Sequence, residues 1–341
     1  MADMLMEYGL FVAKVVTIVV ALGLLVAMVV STARRERAPE KLEVRHLNQK
    51  YETMAEIMRK QTLSKKAFKA AAKEHKARKK TARKHVEAAG PGAPKRVFVL
   101  NFHGDIKATA AASLREEITA LLTLATPSDE VVVRLENAGG LVHEHGFAAS
   151  QLMRIKDKKI PLTITIDKVA ASGGYMMACV ADRILAAPFA IVGSIGVLAQ
   201  LPNFHRFLER HGIDFELFMA GEFKRTVTVF GKNTEEGRTK LREELEDTHV
   251  LFKDFVRQYR PGIEIERVAT GEHWYGARAV ELKLVDELMT SDDYLLGASQ
   301  HAELYEVTYT TKKSVTERVV SLMQQVWEQL FTLSSQRQGM A

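Results

Sequence analysis

A serine followed by two glycines has the residue types and spacing best suited to nucleophilic catalysis in this chain. Ser172 stands in the run Ala171-Ser172-Gly173-Gly174, between a predicted strand and a predicted helix. A serine there can hold its hydroxyl at the helix N-terminus, where backbone N–H groups and the helix dipole favour negative charge. The same pattern is typical of an ordinary helix N-cap before a glycine turn. The motif alone therefore leaves both interpretations open.

A second glycine pair, Gly139-Gly140, ends the preceding predicted strand. One backbone amide at Gly139 and one at Gly173 could form an oxyanion hole, which would stabilise a tetrahedral intermediate of acyl transfer. Turns use glycine for conformational reasons as well, so the pair is a weak signal when taken alone.

A nucleophilic serine needs a base, and Lys224 in the run GEFKRT is the best candidate. A lysine can serve as general base where desolvation or nearby positive charge favours its neutral amine. The chain has no Gly-x-Ser-x-Gly motif. We interpret His143 and His145 as polar loop residues beside the glycine turn. His273 is interpreted as a structural residue at a helix start.

Two further residues have nucleophilic side chains. Ser194, in Gly193-Ser194-Ile195-Gly196, could compete as nucleophile, but we expect it to line the substrate groove or to orient Lys224 by a hydrogen bond. Cys179 lies about two helical turns beyond Ser172 and is predicted to be a small buried apolar group.

Strand and helix patterns alternate after residue 95, which predicts an α/β domain with a largely parallel sheet. The glycine turns fall at the carboxyl ends of strands, where such sheets place their chemistry. The predicted strands are Arg96–Gly104, Glu130–Asn137 and Pro161–Asp167, and the predicted helices are Ser113–Ala125 and about Glu144–Lys156.

Composition excludes several classes of protein. The chain has 341 residues, 47% hydrophobic and 26% charged, which fits one or two globular units and excludes a disordered or collagen-like chain. A single cysteine excludes an internal disulfide and a cysteine-rich zinc site. No P-loop pattern is present, and we expect neither a metal nor another cofactor.

Residues 1–33 are predicted to form an N-terminal membrane anchor. The 19 residues from Val15 to Ala33 carry no charge and are rich in Val, Leu, Ile and Ala. Together with the apolar residues before Lys14, they can cross a hydrocarbon core of about 30 Å. A cleaved signal peptide is the alternative. It fits less well because Asp3 and Glu7 replace the usual positive charge and the apolar run is long.

Residues 34–94 are predicted to form a basic helical arm and a Gly/Pro linker. Between residues 59 and 84 there are twelve Lys or Arg and one acidic residue, whereas the whole chain carries a net charge of +6. Residues 40–87 contain no Gly or Pro, which favours one long helix. The arm could lie near anionic headgroups or be a solvated spacer. No nucleic-acid partner is expected, because interleaved aromatic residues are lacking.

The central sequence resembles the membrane-bound S49 serine peptidases, which include the signal peptide peptidase A-like members and, as the best match, the SohB-type inner-membrane branch. The motifs that carry this resemblance are AGGLVHEHG, then KVAASGGYMMACVADRILAAPFAIVGSIGV, then GEFKRT. The resemblance implies a ClpP/crotonase-like peptidase domain at 95–300. In the C-terminal extension at 301–341, apolar residues at helical spacing between Val315 and Leu333 predict an amphipathic helix. This helix could pack on a neighbouring copy, lie on the membrane or cap its own domain.

The resemblance also implies a site. Ser172 matches the nucleophile and Lys224 the base of a Ser/Lys dyad, while Gly139 and Gly173 match the oxyanion donors. Gly140 and Ser194 are expected to line the substrate groove or orient the lysine. One departure is present: the usual Ser-Pro-Gly-Gly turn reads Asn137-Ala138-Gly139-Gly140 here, so the turn lacks its proline.

The expected function is that of a membrane-anchored serine endopeptidase acting on signal peptides or other membrane-associated peptides. Its partners would be peptide substrates, the lipid bilayer of the bacterial inner membrane and further copies of itself that complete the active sites at interfaces. Arg34, Arg35 and Arg37 favour a cytoplasmic domain, whereas the family's role favours the periplasm. Two alternatives remain, a catalytically silent membrane scaffold and an acyl-CoA enzyme of the crotonase type.

Overall fold

The computed structural model describes residues 12, 14–17, 41–71, 73 and 95–310. The chain divides into two units, and the larger one, residues 42–309, contains the candidate site. Most of the predicted anchor, the linker at 89–94 and the C-terminal amphipathic helix lie outside the described residues. No helix in the described ranges combines the length and the hydropathy that a membrane crossing requires.

The described strands and helices follow one another in an α/β order. The strands are β1 (Lys41–His46), β2 (Arg96–Gly104), β3 (Glu130–Asn137), β4 (Leu162–Ile166), β5 (Val169–Ala171), β6 (Arg183–Ala186), β7 (Ile191–Gly193), β8 (His273–Tyr275), β9 (Glu287–Leu288) and β10 (Glu303–Thr310). The helices are α1 (Leu47–Thr62), α2 (Ala111–Leu122), α3 (Val142–Asp157), α4 (Gly173–Ala178), α5 (His205–Arg210), α6 (Glu235–Tyr259), α7 (Ile265–Val268), α8 (Gly276–Glu281) and α9 (Ser291–Ala298).

The main sheet has the order β1-β10-β2-β3-β4-β6-β9, and the pairings from β10 to β9 are parallel. A branch leaves it where Asn137, the last residue of β3, pairs with Ala170 of β5. β5 pairs with β7, and β7 pairs with β8 in the antiparallel sense. The branch therefore places β5, which leads directly into Ser172, beside the end of β3.

Two apolar clusters cover the two faces of the sheet, because alternate residues of a strand point to opposite sides. On one face Leu100 and Phe102 join the larger cluster, which includes Tyr175 of α4. On the other face Val97 and Val99 pack with the smaller cluster. The larger cluster thereby fixes the short helix that follows Ser172.

The basic arm differs from the single long helix expected over residues 40–87. Its first residues form strand β1, helix α1 ends at Thr62, and helical structure resumes at residue 65 after a break. The Asn48 amide donates to the backbone oxygens of Ser299 and Ala302, and its Oδ1 accepts the Leu304 N–H. These contacts bond the start of the arm to the folded domain, and helix propensity alone does not reveal them.

The sheet also continues beyond the expected domain boundary at residue 300. Strand β10 pairs with β2, with Glu303 opposite Arg96 and Glu306 opposite Val99. The residues that begin the expected C-terminal extension are therefore an internal part of the main sheet.

Helix α2 contains a buried carboxyl group, Glu117, whose side chain accepts a hydrogen bond from the Tyr309 N–H at 2.8 Å. The residue is 4% exposed, and burial raises its pKa from 4.5 to about 7, although the hydrogen bond acts in the opposite direction. The folded state therefore retains a proton that the unfolded state gives up. Stability contributed by this group is present below about pH 4.5 and is lost as the pH rises through about 7.

We predict that Glu117→Gln removes this pH dependence, because glutamine keeps the acceptor for Tyr309 and cannot ionise. At pH 8 the variant should be more stable than the parent by about 2–3 kcal/mol, and the difference should vanish near pH 4.5. Denaturant unfolding at both pH values measures this. Parallel stability curves for parent and variant would contradict the prediction.

Candidate active site

Ser172 has a strained backbone at the junction of β5 and α4. Its φ is 53° and its ψ is −120°, values that residues with a side chain rarely adopt. The Ser172 N–H donates to the Gly193 oxygen at 2.8 Å, and the Ser172 oxygen accepts the Met176 N–H at 3.0 Å. These two bonds hold the strained geometry, which resembles the sharp strand-to-helix turn that carries the nucleophilic serine in α/β-hydrolases.

The Ser172 side chain does not cap helix α4, because it accepts no hydrogen bond from the first helical turn. The side chain is partly exposed, whereas Gly173 and Gly174 are buried. Because the Ser172 hydroxyl accepts no hydrogen bond from the helix, it can approach a bound substrate. The hydrogen bond that would identify Ser172 as an ordinary N-cap is therefore missing.

The glycine turn after β3 lies directly against Ser172. A Cβ placed on Gly139 would stand 2.7 Å from the Ser172 Cβ and 2.9 Å from the Gly173 nitrogen. The φ of Gly139 is 90°, which also favours glycine. The two glycine motifs that the sequence separates by more than thirty residues thus form one site.

The expected oxyanion donor of this turn, the Gly139 amide, is already hydrogen-bonded within the chain. The Gly139 N–H donates to Oδ1 of Asn137 at 2.9 Å, so it already has an acceptor inside the chain. This contact is an Asx turn, which an asparagine at this position can form. Within residues 95–310, the amides of Gly140 and Gly173 donate to no protein acceptor. Those two amides are available to a ligand.

His145 is a buried helical residue, which corrects its interpretation as a polar loop residue. It lies in the first turns of α3, its exposure is 0%, and its Nδ1 faces the Leu141 oxygen at 2.9 Å. It shares a helix face with the buried residues Ala148 and Leu152. That spacing was the sequence signal that could have placed it in the core.

The other two candidate histidines, His143 and His273, are not buried beside the glycine turn as His145 is. His143 is exposed on the opposite side of α3, with Nε2 3.7 Å from a Glu144 carboxylate oxygen. His273 begins strand β8 and does not begin a helix as expected. The helix follows from Gly276.

Helix α4 approaches the end of strand β3 closely at Gly174. A Cβ there would stand 2.1 Å from the backbone oxygen of Asn137, whereas a Cβ on Gly146 in α3 would meet nothing within 4 Å. We predict that Gly174→Ala displaces α4 from the end of β3 and lowers the reactivity of Ser172 by more than about tenfold. The matched Gly146→Ala should keep activity and stabilise the fold by about 0.5–1 kcal/mol. Kinetics and thermal unfolding of both variants check this, and equal effects would contradict it.

Lys224 is exposed, in a segment without regular structure between α5 and α6. Its backbone N–H donates to the Gly221 oxygen at 3.2 Å, and its side chain makes no hydrogen bond or ion pair within the described ranges. The single chain therefore does not bring Lys224 and Ser172 together as a hydrogen-bonded pair.

Ser194 follows the strand next to the one that carries Ser172. Ala171 pairs with Gly193, so the two serines are the next residues on neighbouring parallel strands. Ser194 also has a φ of 53°, and its N–H donates to the Glu272 oxygen at 2.7 Å. Its side chain reaches the Gly271 oxygen only at 3.5 Å. Ser194 therefore lies beside the site without replacing Ser172 at the glycine turn.

Comparison with known proteins decides the family. A family model described as "Peptidase family S49 N-terminal" matches residues 3–152, and one described as "Peptidase family S49" matches residues 154–305. A relative from Haemophilus influenzae, "Probable protease SohB", is 47% identical over 331 residues, which cover 93% of this chain and 92% of the relative. The chain belongs to peptidase family S49. It is accordingly a serine-type peptidase.

A second relative also supports the S49 assignment. A "Probable protease SohB" from Buchnera aphidicola subsp. Schlechtendalia chinensis is 43% identical over 307 residues, covering 86% of this chain and 99% of the relative. A solved structure of a mutant "1510-N membrane-bound stomatin-specific protease" in complex with a substrate peptide has 14% identity and a TM-score of 0.43. The match covers 68% of this chain and 99% of that one.

The S49 peptidase exposes an unusual number of apolar side chains around Lys224. We call residues 198–230 the lysine segment. Leu198 is 82% exposed and Phe218 is 88% exposed. The other exposed large apolar residues of this segment are Leu201, Phe204, Phe207, Ile213, Phe215, Leu217, Met219, Phe223 and Phe230. Clustered exposed apolar residues are typical of interaction surfaces and ligand grooves.

The S49 site has no second nucleophile in Cys179. The thiol is fully buried, its Sγ donates to the Met176 oxygen at 3.3 Å, and burial raises its pKa well above the usual value for cysteine. The thiolate that would react is therefore disfavoured, as expected for a small buried apolar residue. Among the described residues, no cluster of three or more His, Cys, Asp or Glu could hold a metal ion.

Proposed function

We propose that this S49 peptidase is an endopeptidase with a Ser/Lys dyad, in which Ser172 is the nucleophile and Lys224 the general base. The observation that carries the proposal is the strained Ser172 held against the glycine turn, with two unpaired amides nearby. Strain at a serine persists only where surrounding contacts fix it, and active sites are where such strain concentrates.

The chemistry proceeds by acyl transfer. The neutral Lys224 amine takes the proton of the Ser172 hydroxyl as the oxygen attacks the peptide carbonyl carbon. The resulting ammonium gives its proton to the leaving amine as the peptide C–N bond breaks. Water, activated by the lysine, then hydrolyses the acyl-enzyme and regenerates the serine hydroxyl.

Two backbone amides stabilise the tetrahedral intermediate in this proposal. The Gly173 amide comes from the residue after the nucleophile, as the sequence predicts. From the glycine turn we assign the Gly140 amide, because the Gly139 amide already donates to Asn137. Such donors act because they are fixed in place before charge develops on the oxygen.

The dyad is completed between two copies of the chain. The Lys224 side chain makes no hydrogen bond or ion pair within the described ranges, and the lysine segment around it is rich in exposed apolar residues. A second copy offers the matching surface in a closed ring, where each interface repeats the same contact. Gly140 and Ser194 then line the groove, with Ser194 placed to orient the incoming lysine.

The domain is held at the bacterial inner membrane by a single-pass anchor at residues 1–33. Exposed lysines in the basic arm support a position at the membrane. Lys65, Lys66 and Lys69 can approach anionic headgroups. The substrates are extended apolar peptides, such as signal peptides released in the membrane. The ClpP/crotonase-like architecture accounts for the sheet branch that positions Ser172. Protease accessibility of the domain in intact spheroplasts decides between the cytoplasmic and the periplasmic side.

Hydrolysis assays on the detergent-solubilised full chain test the proposed function. We expect cleavage of fluorogenic apolar peptides, slower cleavage of charged ones, and no turnover of acyl-CoA thioesters. Intact peptides would favour a silent scaffold, and thioester turnover would favour a crotonase-type enzyme.

A further inference from the structure

We infer that Asn137 and His145 are positioning residues that fix the glycine turn of the oxyanion site. The inference rests on the proposed role of Ser172. It assigns a task to two buried polar residues that take no part in the proposed proton transfers. It also explains how this chain forms the turn without the proline of the usual Ser-Pro-Gly-Gly sequence.

Asn137 is anchored on several sides at the end of β3. The residue is 1% exposed, and its Nδ2 donates to the Met177 sulfur at 3.4 Å. Its side chain fills the space in front of Gly104, where an added Cβ would stand 2.4 Å from the Asn137 Cγ. An amide packed in this way has little freedom to rotate. It therefore holds the Gly139 N–H that it accepts at 2.9 Å.

His145 connects the two sides of the oxyanion site. Its Nε2 lies 3.2 Å from the Asn137 Oδ1 on the turn side. Its ring packs against Gly173 on the nucleophile side, where an added Cβ would stand 2.4 Å from the His145 Cγ. One buried ring thus touches both the residue that orients the turn and the residue that supplies the other donor.

The contact sets the direction of the free amide. In a turn without proline, the peptide groups around Ala138 and Gly139 have more conformational freedom in the absence of other restraints. By accepting the Gly139 N–H, Asn137 fixes the rotation of the turn, and the next amide, that of Gly140, is left facing away from an internal acceptor. With its ring proton on Nε2, His145 donates to Oδ1 and so keeps Asn137 in place.

Such a role predicts an effect on turnover rather than on binding. The oxyanion donors matter most when the carbonyl oxygen becomes charged, so a misaligned turn weakens the transition state more than the substrate complex. Because Asn137 and His145 act through one contact, the loss of both should cost about as much as the loss of either.

Matched variants of the full chain test the inference. We expect Asn137→Ala and His145→Leu each to lower kcat for peptide hydrolysis by about ten- to a hundredfold, with KM changed less than about threefold. The kcat of the double variant should lie within about twofold of the kcat of the slower single variant. Asn137→Ser keeps an acceptor for Gly139, and His145→Gln keeps a polar contact to Asn137, so both should recover most of kcat. Fluorophosphonate labelling should slow in the same proportion, because the adduct oxygen occupies the oxyanion site.

The outcomes separate this inference from the proposed function. If the wild type is neither labelled nor active, the proposed function fails. If it is active and the folded Asn137→Ala and His145→Leu variants keep wild-type kcat, or if their effects multiply, only the positioning role is overturned. Thermal unfolding checks that each variant folds. If His145→Leu does not fold, the Asn137→Ala and Asn137→Ser pair decides alone, since only a positioning role predicts loss in the first and recovery in the second.

Discussion

Ser172→Ala is expected to lower kcat for peptide hydrolysis by at least about 10⁴-fold, because Ser172 is the nucleophilic side chain that lies against the glycine turn in the described part of the chain. The substituted methyl group fits where the serine Cβ already lies, so the fold and the peptide KM should change little. Steady-state kinetics on the purified full chain measure the effect, and circular dichroism verifies the fold.

Ser194→Ala is the matched control for this experiment. It removes a hydroxyl from the residue that follows the neighbouring strand and shares the positive φ of 53°. We expect it to keep measurable turnover, with a loss of at most about a hundredfold if Ser194 orients the lysine. A result in which Ser194→Ala is inactive and Ser172→Ala remains active would exchange the two roles and overturn the assignment of the nucleophile.

Lys224→Ala should have an effect of similar size, since the serine hydroxyl would lose its base in acylation and the leaving amine its acid. The neighbouring Lys232→Ala is the control, because that residue lies in the same loop region but outside the GEFKRT motif. We expect it to keep wild-type kcat within about threefold. Full activity in Lys224→Ala would exclude the dyad.

A mixing experiment tests whether the dyad spans two copies. Ser172→Ala and Lys224→Ala chains, each expected to be inactive alone, are denatured and refolded together, or are co-expressed, so that mixed assemblies form. If each site takes its serine from one copy and its lysine from the next, random mixing at equal amounts restores about a quarter of wild-type activity. A mixture that stays inactive, with mixed assemblies shown by differential tags, would place both residues in one copy.

Elements with strong local patterns were predictable from the sequence. The bounds of β2 and β3 agree with the predicted strands because both are short apolar runs that end in glycine-containing turns. Helix α2 begins at Ala111 and α3 at Val142, each two residues before its predicted start, since neither helix begins with a side-chain cap that would mark it. The proximity of the two glycine motifs followed from the parallel sheet.

Features that depend on distant packing were not predictable in this way. The Lys- and Ala-rich arm favours helix throughout, yet its first residues form β1 and pair at the edge of the sheet. The Asx turn at Asn137 takes up the amide that the motif assigned to the oxyanion hole. The helical spacing of His145 with Ala148 and Leu152 indicates burial, but it does not reveal which groups the ring contacts. Its contacts with Gly173 and with the Asn137 side chain depend on how α3 packs against α4 and the end of β3.

Mass spectrometry of the wild-type protein after reaction with a fluorophosphonate shows which serine is the nucleophile. We expect a single phosphonyl adduct on the peptide that contains Ser172, with loss of peptide hydrolysis in proportion to labelling. An adduct on another serine that tracks the loss of activity, or full hydrolysis with Ser172 completely modified, would contradict it.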